Sequence, residues 1–590
     1  MARGGPFAAR GGESVSIAET FRASPTLQAA FAAGRRHFAY AALFSALLNL
    51  LFIAPMLYML QVYDRVVPTQ GKMTLMFLTI ILMVSLATLA AMEAIRSRLL
   101  VRASVKLDQA LAGPIMRATL LQPDSGQRLA RQAVREFDTL RNALTGPAMH
   151  GMLDAPWVPI YLLIAFLIHP WIGVLTLGGA LMIIALAWRT EVANRDRLQD
   201  ANTAAGRSYA IYDASVAGSD VVRALGLRDA LISGHLADRQ AMTELQTDAG
   251  LTTARLASYS KFTRLLLQSL ALGVGALLAI NAQISPGAIF ASMFIVGRAL
   301  APIDQLVGGW RTVISARGSI NVLDELFSAT PPDIARTLLP PPTGRLAVEG
   351  LTVMGQGQKP ILYNVRFSVA AGEVVAIVGP SGAGKSTLVR AIAGAIRPNT
   401  GHIRFDGAEQ RDWEPEQLAG FVGFMPQETT LFAGSIKDNI SRFKVRNGEP
   451  QGAVDADAIA AAQLAGAHEM ILALPGGYDN PLQLGGRGLS AGQAQRIALA
   501  RALFRNPRYL ILDEPNASLD AEGDTQLTKT IEQAKAAGTT ILIVAHRMSV
   551  LPVVDTLLVI REGAIALHGP RDEVLRQLAP QQPRVAGAAQ

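Results

Sequence analysis

The stretch Gly379-Pro-Ser-Gly-Ala-Gly-Lys-Ser-Thr387 decides the fold of the second half of the chain, because it matches the pattern G-x-x-x-x-G-K-[S/T]. The run before it, Val374–Val378, has the composition of a buried strand, and Thr387–Ala395 has that of a helix. Between a strand and a helix, such glycines let backbone amides close around phosphate oxygens. Lys385 would supply a charge to these oxygens and Ser386 a hydroxyl to Mg²⁺. The pattern therefore predicts a nucleotide-phosphate site.

A second apolar run, Tyr509–Leu512, ends in two carboxylates, Asp513 and Glu514. Taken alone, these acids are better explained as polar residues that end a strand. Downstream of a phosphate loop, Asp513 is placed to hold Mg²⁺ through water, and Glu514 is placed to polarise an attacking water. The two motifs together predict a nucleotide hydrolase with Glu514 as its general base.

The sequence around these motifs alternates between short apolar runs and Ala-rich helical stretches. The runs with strand composition are Val374–Val378, Tyr509–Leu512, Thr540–Val544 and Thr556–Ile560. This alternation predicts an α/β domain with a largely parallel sheet. A proline cluster precedes it, so we assign residues 331–344 to a proline-rich linker and residues 345–577 to the α/β domain, with a flexible tail over 578–590.

The first half of the chain is apolar. Of the 590 residues 50% are hydrophobic and only 17% are charged, which is too little charge for a soluble protein of this size. Each of its six long apolar runs can cross a bilayer of about 30 Å as a helix. These runs are Phe38–Leu60, Met73–Ala91, Met149–Ile168, Trp171–Trp188, Phe262–Ile280 and Ala288–Leu306. The pattern predicts a six-helix all-α transmembrane domain over residues 38–330.

Basic residues predict the orientation of these spans. Arginine and lysine are frequent between Arg96 and Arg141, whereas the short turns 168–170 and 281–287 contain neither. The formal net charge of +8 therefore indicates basic cytoplasmic loops rather than a nucleic-acid partner, with both termini in the cytoplasm. The long loops, 92–148 and 189–261, have helical composition, and residues 1–37 are expected to form a disordered cytoplasmic arm. The chain has no cysteine, which excludes disulfides, thiolate metal sites and cysteine nucleophiles.

The segment Leu489-Ser-Ala-Gly-Gln493, ahead of a helical run Ala494–Phe504, extends the pattern to a known family. With the two earlier motifs it resembles the ABC ATPases, whose signature is L-S-G-G-Q; this sequence departs from it at Ala491. The resemblance implies that Ser490, Gly492 and Gln493 bind the γ-phosphate of a nucleotide held by another subunit. By itself, a serine at this position is also an ordinary helix cap.

Three further positions follow in the order of that family. Gln427 resembles the Q-loop glutamine that senses Mg²⁺, Ser518-Leu-Asp520 resembles the D-loop, and His546 resembles the switch histidine that contacts the γ-phosphate. The resemblance implies catalysis by Glu514 and His546. It implies Mg²⁺ bound by Ser386, Gln427 and Asp513, and ATP bound by Gly379, Ser381, Gly382, Gly384, Lys385, Ser386, Thr387, Gln427, Ser490, Gly492, Gln493 and Asp520.

The family's usual aromatic residue for stacking on adenine is missing from this sequence. Leu351–Gly355 contains no aromatic residue, and Tyr363 comes too late in the sequence. We therefore assign no adenine platform.

A transmembrane domain fused ahead of an ABC ATPase is the order of exporters, and three motifs narrow the class. Tyr63-Asp64-Arg65, Asp154-Ala-Pro-Trp157 and His169-Pro-Trp171 resemble the type I protein-secretion transporters that export proteases and repeat-in-toxin proteins. The tryptophans are also explained as interfacial anchors, and Asp64 with Arg65 as an ion pair at the membrane surface. Only residues 1–37 precede the first span, so we expect no N-terminal peptidase domain.

The resemblance implies a homodimer in the bacterial inner membrane. Its partners would be a periplasmic membrane-fusion adaptor, an outer-membrane channel and a secreted protein cargo that carries an uncleaved C-terminal signal, with no nucleic acid. Asp154 is a candidate for the cytoplasmic mouth of the path, because a carboxylate at a membrane boundary is costly unless it faces water or a partner.

Three other functions use the same ATPase motifs. An exporter of lipids or drug-like molecules is the main alternative. The apolar runs argue against a soluble ABC ATPase that acts on DNA or ribosomes, and Glu514 and His546 argue against a regulatory or channel protein that does not turn over ATP.

Overall fold

The computed structural model describes residues 24–121, 127–330, 336–355, 359–483, 486, 488–545 and 548–578. The chain divides into two compact units, Met1–Pro331 and Pro332–Gln590. Of the sequence-based predictions, the N-terminal arm as far as residue 23, the first five residues of the linker (331–335), His546, and the tail from residue 579 lie outside the described residues.

All the regular secondary structure in the described residues of the first unit is helical. Its helices are α1 (Pro25–Leu51), α2 (Ala54–Gln61), α3 (Val67–Thr69), α4 (Lys72–Leu121), α5 (Gln127–Ala143), α6 (Pro147–Asp154), α7 (Val158–Ile168), α8 (Pro170–Ala217), α9 (Ser219–Ala224), α10 (Arg228–Ile280), α11 (Pro286–Gly308) and α12 (Trp310–Ala329). A π-helical turn at Val62–Val66 joins α2 to α3, and a 3₁₀ turn at Ala155–Trp157 joins α6 to α7.

Five helical stretches among the described residues are long and apolar enough to cross a membrane. They are Pro25–Thr69, Lys72–Leu120, Pro147–Ile168, Arg228–Ile280 and Pro286–Gly308. The remaining predicted span, the fourth, begins α8, where the described apolar stretch Pro170–Leu186 is shorter and is followed closely by Arg189. Five of the six predicted spans therefore lie in helices of sufficient length and hydropathy, and the fourth lies in a shorter apolar stretch.

The apolar side chains of the first unit are divided between its core and its outer surface. Tyr161 and Ile172, from α7 and α8, are buried against Val296 and Leu300 of α11. By contrast, large side chains along α4 point outward, such as Phe77, which is 60% exposed. Outward apolar surface of this kind is stable where hydrocarbon replaces water.

Three helices are much longer than a bilayer is thick. Helix α4 has 50 residues, α8 has 48 and α10 has 53, which correspond to lengths of about 75, 72 and 80 Å against a hydrocarbon thickness of about 30 Å. All three therefore continue well beyond the membrane. The prediction that segments 92–148 and 189–261 are mainly helical is confirmed for their described residues.

The second unit contains three sheets and eight helices in its described residues. The strands are β1 (Leu346–Met354), β2 (Pro360–Val369), β3 (Val374–Val378), β4 (Thr400–Phe405), β5 (Ala408–Glu409), β6 (Val422–Met425), β7 (Gly434–Ser435), β8 (Pro481–Leu482), β9 (Tyr509–Asp513), β10 (Thr540–Val544), β11 (Thr556–Arg561) and β12 (Ala564–Pro570). The helices are α13 (Lys385–Ile392), α14 (Pro415–Phe421), α15 (Ile436–Ile440), α16 (Gln451–Leu464), α17 (His468–Leu472), α18 (Ala491–Leu503), α19 (Ala521–Ala536) and α20 (Arg571–Leu578).

The largest sheet has six strands in the order β12-β11-β3-β10-β9-β6. All its neighbouring strands pair in parallel except β11 and β12. An antiparallel sheet, β2-β1-β4-β5, and the short pair β7-β8 complete the unit. The predicted α/β fold with a largely parallel sheet is confirmed.

Two helices start earlier than the sequence predicted, and capping explains both differences. Helix α13 begins at Lys385 because Gly384, with φ +99°, turns the chain into the helix two residues before the predicted start. Helix α18 begins at Ala491 because Ser490 and Gln493 form a reciprocal capping box. Apolar periodicity does not reveal such starts, because the first turn of a helix is held by side-chain bonds.

Asp406, between β4 and β5, holds the residues that lead into β1. Its carboxylate accepts hydrogen bonds from the backbone amides of Thr343, Gly344 and Arg345. Partial burial acts to raise the pKa of Asp406, but these bonds, led by the one from Thr343, outweigh it and lower the pKa below the usual 3.8. The carboxylate therefore stabilises the fold in its charged form.

We expect Asp406→Ala to lower the free energy of unfolding by about 1–2 kcal/mol at neutral pH. The substitution removes the acceptor of the three amides and places alanine at a φ of +50°, which asparagine tolerates better. Asp406→Asn is the matched control, because it keeps the backbone tolerance and one acceptor oxygen but removes the charge. Thermal unfolding of the purified chain measures both.

The charge contribution of Asp406 has a defined pH window. Because the folded pKa is the lower one, the advantage of wild type over Asp406→Asn is fully present above the unfolded value near 3.8. It is lost as the pH falls through the folded value. An advantage of equal size at pH values below the folded pKa would contradict this assignment.

Candidate functional site

The phosphate loop begins where β3 leaves the sheet between β10 and β11. Gly379 has φ +153°, and a Cβ atom there would lie 2.2 Å from the carbonyl oxygen of Ile560 on β11. At Gly384 a Cβ would lie 2.8 Å from Leu362, whereas at Gly382 it would meet nothing within 4 Å. The two ends of the loop therefore require glycine for space, while Gly382, with φ +79°, requires it for conformation alone.

Lys385 lies inside this loop. Its side chain is buried, and its ammonium group donates to the carbonyl oxygens of Gly379 and Pro380, each at 3.0 Å. Ser381 and Gly382 are exposed at the rim of the loop. Exposed backbone around a buried ammonium group is the arrangement that binds a polyphosphate.

Ser386 and Asp513 form the candidate magnesium site. The Ser386 hydroxyl donates to Asp513 Oδ1 at 3.1 Å, and Asp513 is only 2% exposed. Burial raises the pKa of Asp513 and Glu514 raises it further, against the lowering by Ser386, Lys385 and Arg390. A hydroxyl beside a carboxylate provides the hard oxygen atoms that Mg²⁺ prefers, so these residues fit the ion.

Glu514 turns away from the strand that precedes it. It has φ +53°, a conformation that few residues other than glycine adopt, and its amide donates to Val544 of β10 at 3.2 Å. Its Oε2 accepts a hydrogen bond from Gln427 Nε2 at 3.1 Å. Polar residues with strained backbones are found mainly at functional sites, where the surrounding fold determines the direction of the side chain.

The parallel sheet brings these groups to one edge. Strand β3 leads to Lys385, β9 leads to Asp513 and Glu514, and β6 leads to Gln427. The carboxyl ends of parallel strands meet at the same edge, where α/β proteins bind ligands. Strand β10 also ends there, at Val544, two residues before His546, which lies outside the described residues.

The signature residues form a second group, at the start of α18. The Ser490 hydroxyl accepts from the Gln493 amide at 3.2 Å, so Ser490 is a helix cap in this structure. A Cβ on Gly492 would lie 3.2 Å from the Ser518 carbonyl oxygen, which brings the signature close to the D-loop. Asp520 in turn caps α19 through the Gly523 amide.

Gln495 connects these two groups, and sequence reasoning missed it. Its Nε2 donates to the Pro515 carbonyl oxygen at 2.6 Å, and its Oε1 accepts from the Ser518 amide at 3.0 Å. Gln495 is buried on the same helix face as Ala498 and Leu499. A polar residue at helical spacing with apolar ones was the sequence signal that could have identified it. The side chain fixes α18 to the segment that follows Glu514.

Tyr363 lies on β2 and is 63% exposed. Its amide donates to Gly563 at 2.9 Å.

The family motifs of the first unit have specific contacts. The Asp64 carboxylate accepts hydrogen bonds from the Ser285 hydroxyl at 2.5 Å and the Gly287 amide at 2.6 Å, at the start of α11. Tyr63 stacks on Phe290 with ring centroids 4.1 Å apart. Asp64 therefore binds the last apolar helix, in place of the ion pair with Arg65 considered above.

The other two motifs differ in their roles. His169 caps α8 by accepting a hydrogen bond from the Trp171 amide at 3.3 Å, while Trp171 is 66% exposed, as an interfacial anchor would be. Asp154 is 4% exposed and pairs with Arg96, so of the two expected surroundings, water or a partner, the structure shows a partner side chain. Its place at the cytoplasmic mouth stays a prediction.

Comparisons with known proteins agree with both units. Residues 38–299 match the ABC transporter transmembrane region, and residues 362–517 match the ABC transporter family. A solved structure of a bacterial Atm1-family ABC exporter with ATP bound shares the fold, with a TM-score of 0.79 over 94% of this chain and 99% of that one, at 22% identity.

Curated relatives define the family more narrowly. The type I secretion system ATP-binding protein PrsD of Rhizobium meliloti (strain 1021) is 39% identical over 91% of this chain and 92% of its own length. The alpha-hemolysin translocation ATP-binding protein HlyB of Escherichia coli is 30% identical over 92% of this chain and 77% of its own. The chain belongs to the ABC exporters of type I protein secretion, multi-pass membrane proteins that couple ATP hydrolysis to transport.

Proposed function

We propose that this chain is the ATP-driven motor of a type I secretion system and works as a homodimer. The observation that carries this proposal is the cluster at the sheet edge, where Ser386 meets Asp513 and Gln427 meets Glu514. One phosphate loop and one signature in the sequence support an arrangement in which each loop meets the signature of the second copy.

The proposed chemistry assigns one task to each side chain. The loop from Gly379 to Thr387 binds the phosphates, with Lys385 as the charge. Ser386, Asp513 and Gln427 would hold Mg²⁺, which neutralises phosphate charge when it is bound. Glu514 accepts a proton from the attacking water, and its contact with Gln427 links the base to the segment after β6.

The second copy would complete each site. Ser490, Gly492 and Gln493 present a helix N-terminus, which is a favourable partner for a γ-phosphate. Asp520 lies beside them, since Arg496 of the signature helix is 3.3 Å from its carboxylate. His546 is proposed as a further γ-phosphate contact.

We propose a polypeptide cargo with a C-terminal signal, of the protease or repeat-in-toxin kind. The relatives named for type I secretion and for hemolysin translocation support this cargo class. Export would continue through a periplasmic adaptor and an outer-membrane channel. The basic segment between Arg96 and Arg141 supports an inner-membrane orientation with both termini in the cytoplasm.

We expect Gly379→Ala to lower ATPase turnover about 100-fold, because the methyl group would push the loop away from Ile560 and misplace the phosphates. Gly382→Ala is the matched control: it lies in the same loop and also has a positive φ, but it has open space. Its only expected effect is about 1–2 kcal/mol of backbone strain, without displacement of the loop from Ile560. ATPase assays on both purified variants measure the difference, and equal activities would refute the steric argument.

We expect Glu514→Gln to retain ATP binding and to lose about 10²–10⁴-fold in turnover, because the amide cannot accept the water proton. ATP should then hold the two copies together. Cysteines at Ser381 and Ala491 should crosslink between chains when ATP is added, and the chain has no cysteine of its own to interfere.

The control for this experiment is the same cysteine pair with Lys385→Ala, which should crosslink poorly because ATP binding is weakened. Near wild-type ATPase activity of Glu514→Gln would reject the base assignment. Crosslinks that form only within single chains would reject the shared site.

Deletion of the gene tests the cargo. We expect the medium to lose one or a few glycine-rich, calcium-binding proteins, and complementation with the Glu514→Gln gene should not restore them. Comparison of secreted proteins by mass spectrometry measures this. An unchanged set of secreted proteins, with altered drug resistance or lipid composition, would instead support a small-molecule exporter.

A further inference from the structure

A buried ion pair lies within the membrane unit. Arg96 Nη1 of α4 is 2.8 Å from Asp154 Oδ1 of α6, and the two side chains are 4% and 6% exposed. The site function described above uses neither residue. Ionisable groups in an apolar helical unit are costly, and they are retained where they have a functional role.

Two polar side chains of α1 complete the environment of Asp154. The Ser45 hydroxyl and Asn49 Nδ2, the latter at 2.8 Å, donate to the same oxygen as Arg96. The Tyr161 hydroxyl of α7 donates to Asn49 Oδ1, also at 2.8 Å. One carboxylate therefore binds side chains of the first and second apolar helices, and through Asn49 it is connected to α7.

The helices that meet at this pair are interrupted close to it. Helix α1 ends at Leu51, and the chain resumes as α2 only at Ala54. Helix α6 ends at Asp154 itself, where the 3₁₀ turn begins. Helix α4, by contrast, runs without a break through Arg96 from the apolar region to Leu121. Helices α1 and α6 are thus attached to the continuous helix α4 close to the points where α1 and α6 end.

A second contact attaches α6 to α11. A Cβ atom on Gly151 of α6 would lie 3.2 Å from the carbonyl oxygen of Pro302, and one on Gly309 would lie 2.6 Å from Ala148. Backbones this close cannot slide past each other without changing their packing. Helix α11 leads through α12 to the chain of the ATPase unit. Helix α6 is therefore in contact with α11 through close packing and with α4 through the ion pair.

We propose that the Arg96–Asp154 pair is the joint through which movement of α11 and α6 reaches α4 and the broken first span, which makes Asp154 a positioning residue for export. The inference rests on the proposed function, since it concerns how ATP-driven movement reaches the membrane helices. Stability alone does not explain the pair, because apolar residues of similar volume replace buried ion pairs without loss of stability in many proteins. An ion pair fixes which residues stay together while the helices bend at their breaks.

The test compares ATPase activity with movement of the membrane helices. A single cysteine at Gln70, which is exposed between α3 and α4, carries a spin label, and the distance between the labels of two copies is measured with and without ATP. Asp154→Asn should keep ATPase activity within about twofold, since the catalytic groups lie in the other unit. The variant should lose most of the ATP-dependent change in the distance between the labels. The amount of protein exported per ATP hydrolysed should fall at least about fivefold.

The matched control is Asp108→Asn. Asp108 also lies on α4, and the substitution breaks its ion pair with Arg141 of α5, 2.8 Å away. That pair is more than a third exposed, so its loss should change neither the distance nor the export. If Asp154→Asn does not accumulate in the membrane, Arg96→Lys is the second variant, because it keeps the charge but removes the guanidinium group. It should also reduce the ATP-dependent change in distance.

The outcomes are distinct. Lost movement with ATPase activity retained supports the joint. Wild-type movement in both variants overturns it, and so does a parallel fall of membrane level, ATPase activity and movement, because that pattern indicates a structural role only. The distance measurement needs no cargo, so a wrong cargo class would abolish export in the wild-type assay while leaving this comparison intact.

Discussion

The position of β3 between β10 and β11 is the constraint on which the nucleotide site depends. Its parallel register with both neighbours aligns the ends of the strands, so that the loop from Gly379 and the end of β10 emerge side by side. The close approach of Gly379 to the Ile560 carbonyl oxygen belongs to this register, and the bond of the Glu514 amide to Val544 belongs to the adjoining register of β9 with β10. A shift of one residue along β3 would separate the loop from Asp513, because successive residues of a strand face opposite sides.

The parts of this site that could be predicted from the sequence are those whose chemistry is local. A phosphate loop needs its glycines and Lys385 at fixed spacing, and a strand that ends in Asp513 can be recognised without knowledge of its neighbours. The contact between Gln427 and Glu514 joins residues that are 87 positions apart, and only the order of the family motifs pointed to it. Gln495 was missed because its partners are backbone atoms of another segment, and a sequence does not show backbone groups.

In the membrane unit, the spans were predictable but their polar contacts were not. Hydropathy measures the transfer of a whole segment into hydrocarbon, so it located the apolar runs and left open which charges pair within them. Asp154 illustrates this, because its partner Arg96 lies 58 positions earlier. Asp304 is a second case, since it accepts from Ser260 at 2.8 Å and lies 3.5 Å from Arg264 on the adjacent helix. Each such contact also fixes the rotation of one helix about its axis relative to its neighbour.

The bond between Asp64 and the start of α11 has a consequence for biosynthesis. Asp64 and Ser285 are separated by 221 residues, so the ribosome completes most of the membrane unit before this contact can form. At about 5–20 residues per second the interval is roughly 10–45 s. Until then Asp64 lacks these two partners, and a carboxylate without partners is costly in hydrocarbon. The charge therefore resists slippage of the first span into hydrocarbon until the start of α11 is available to bind it, so the order of synthesis and one carboxylate together favour a single arrangement of these two helices.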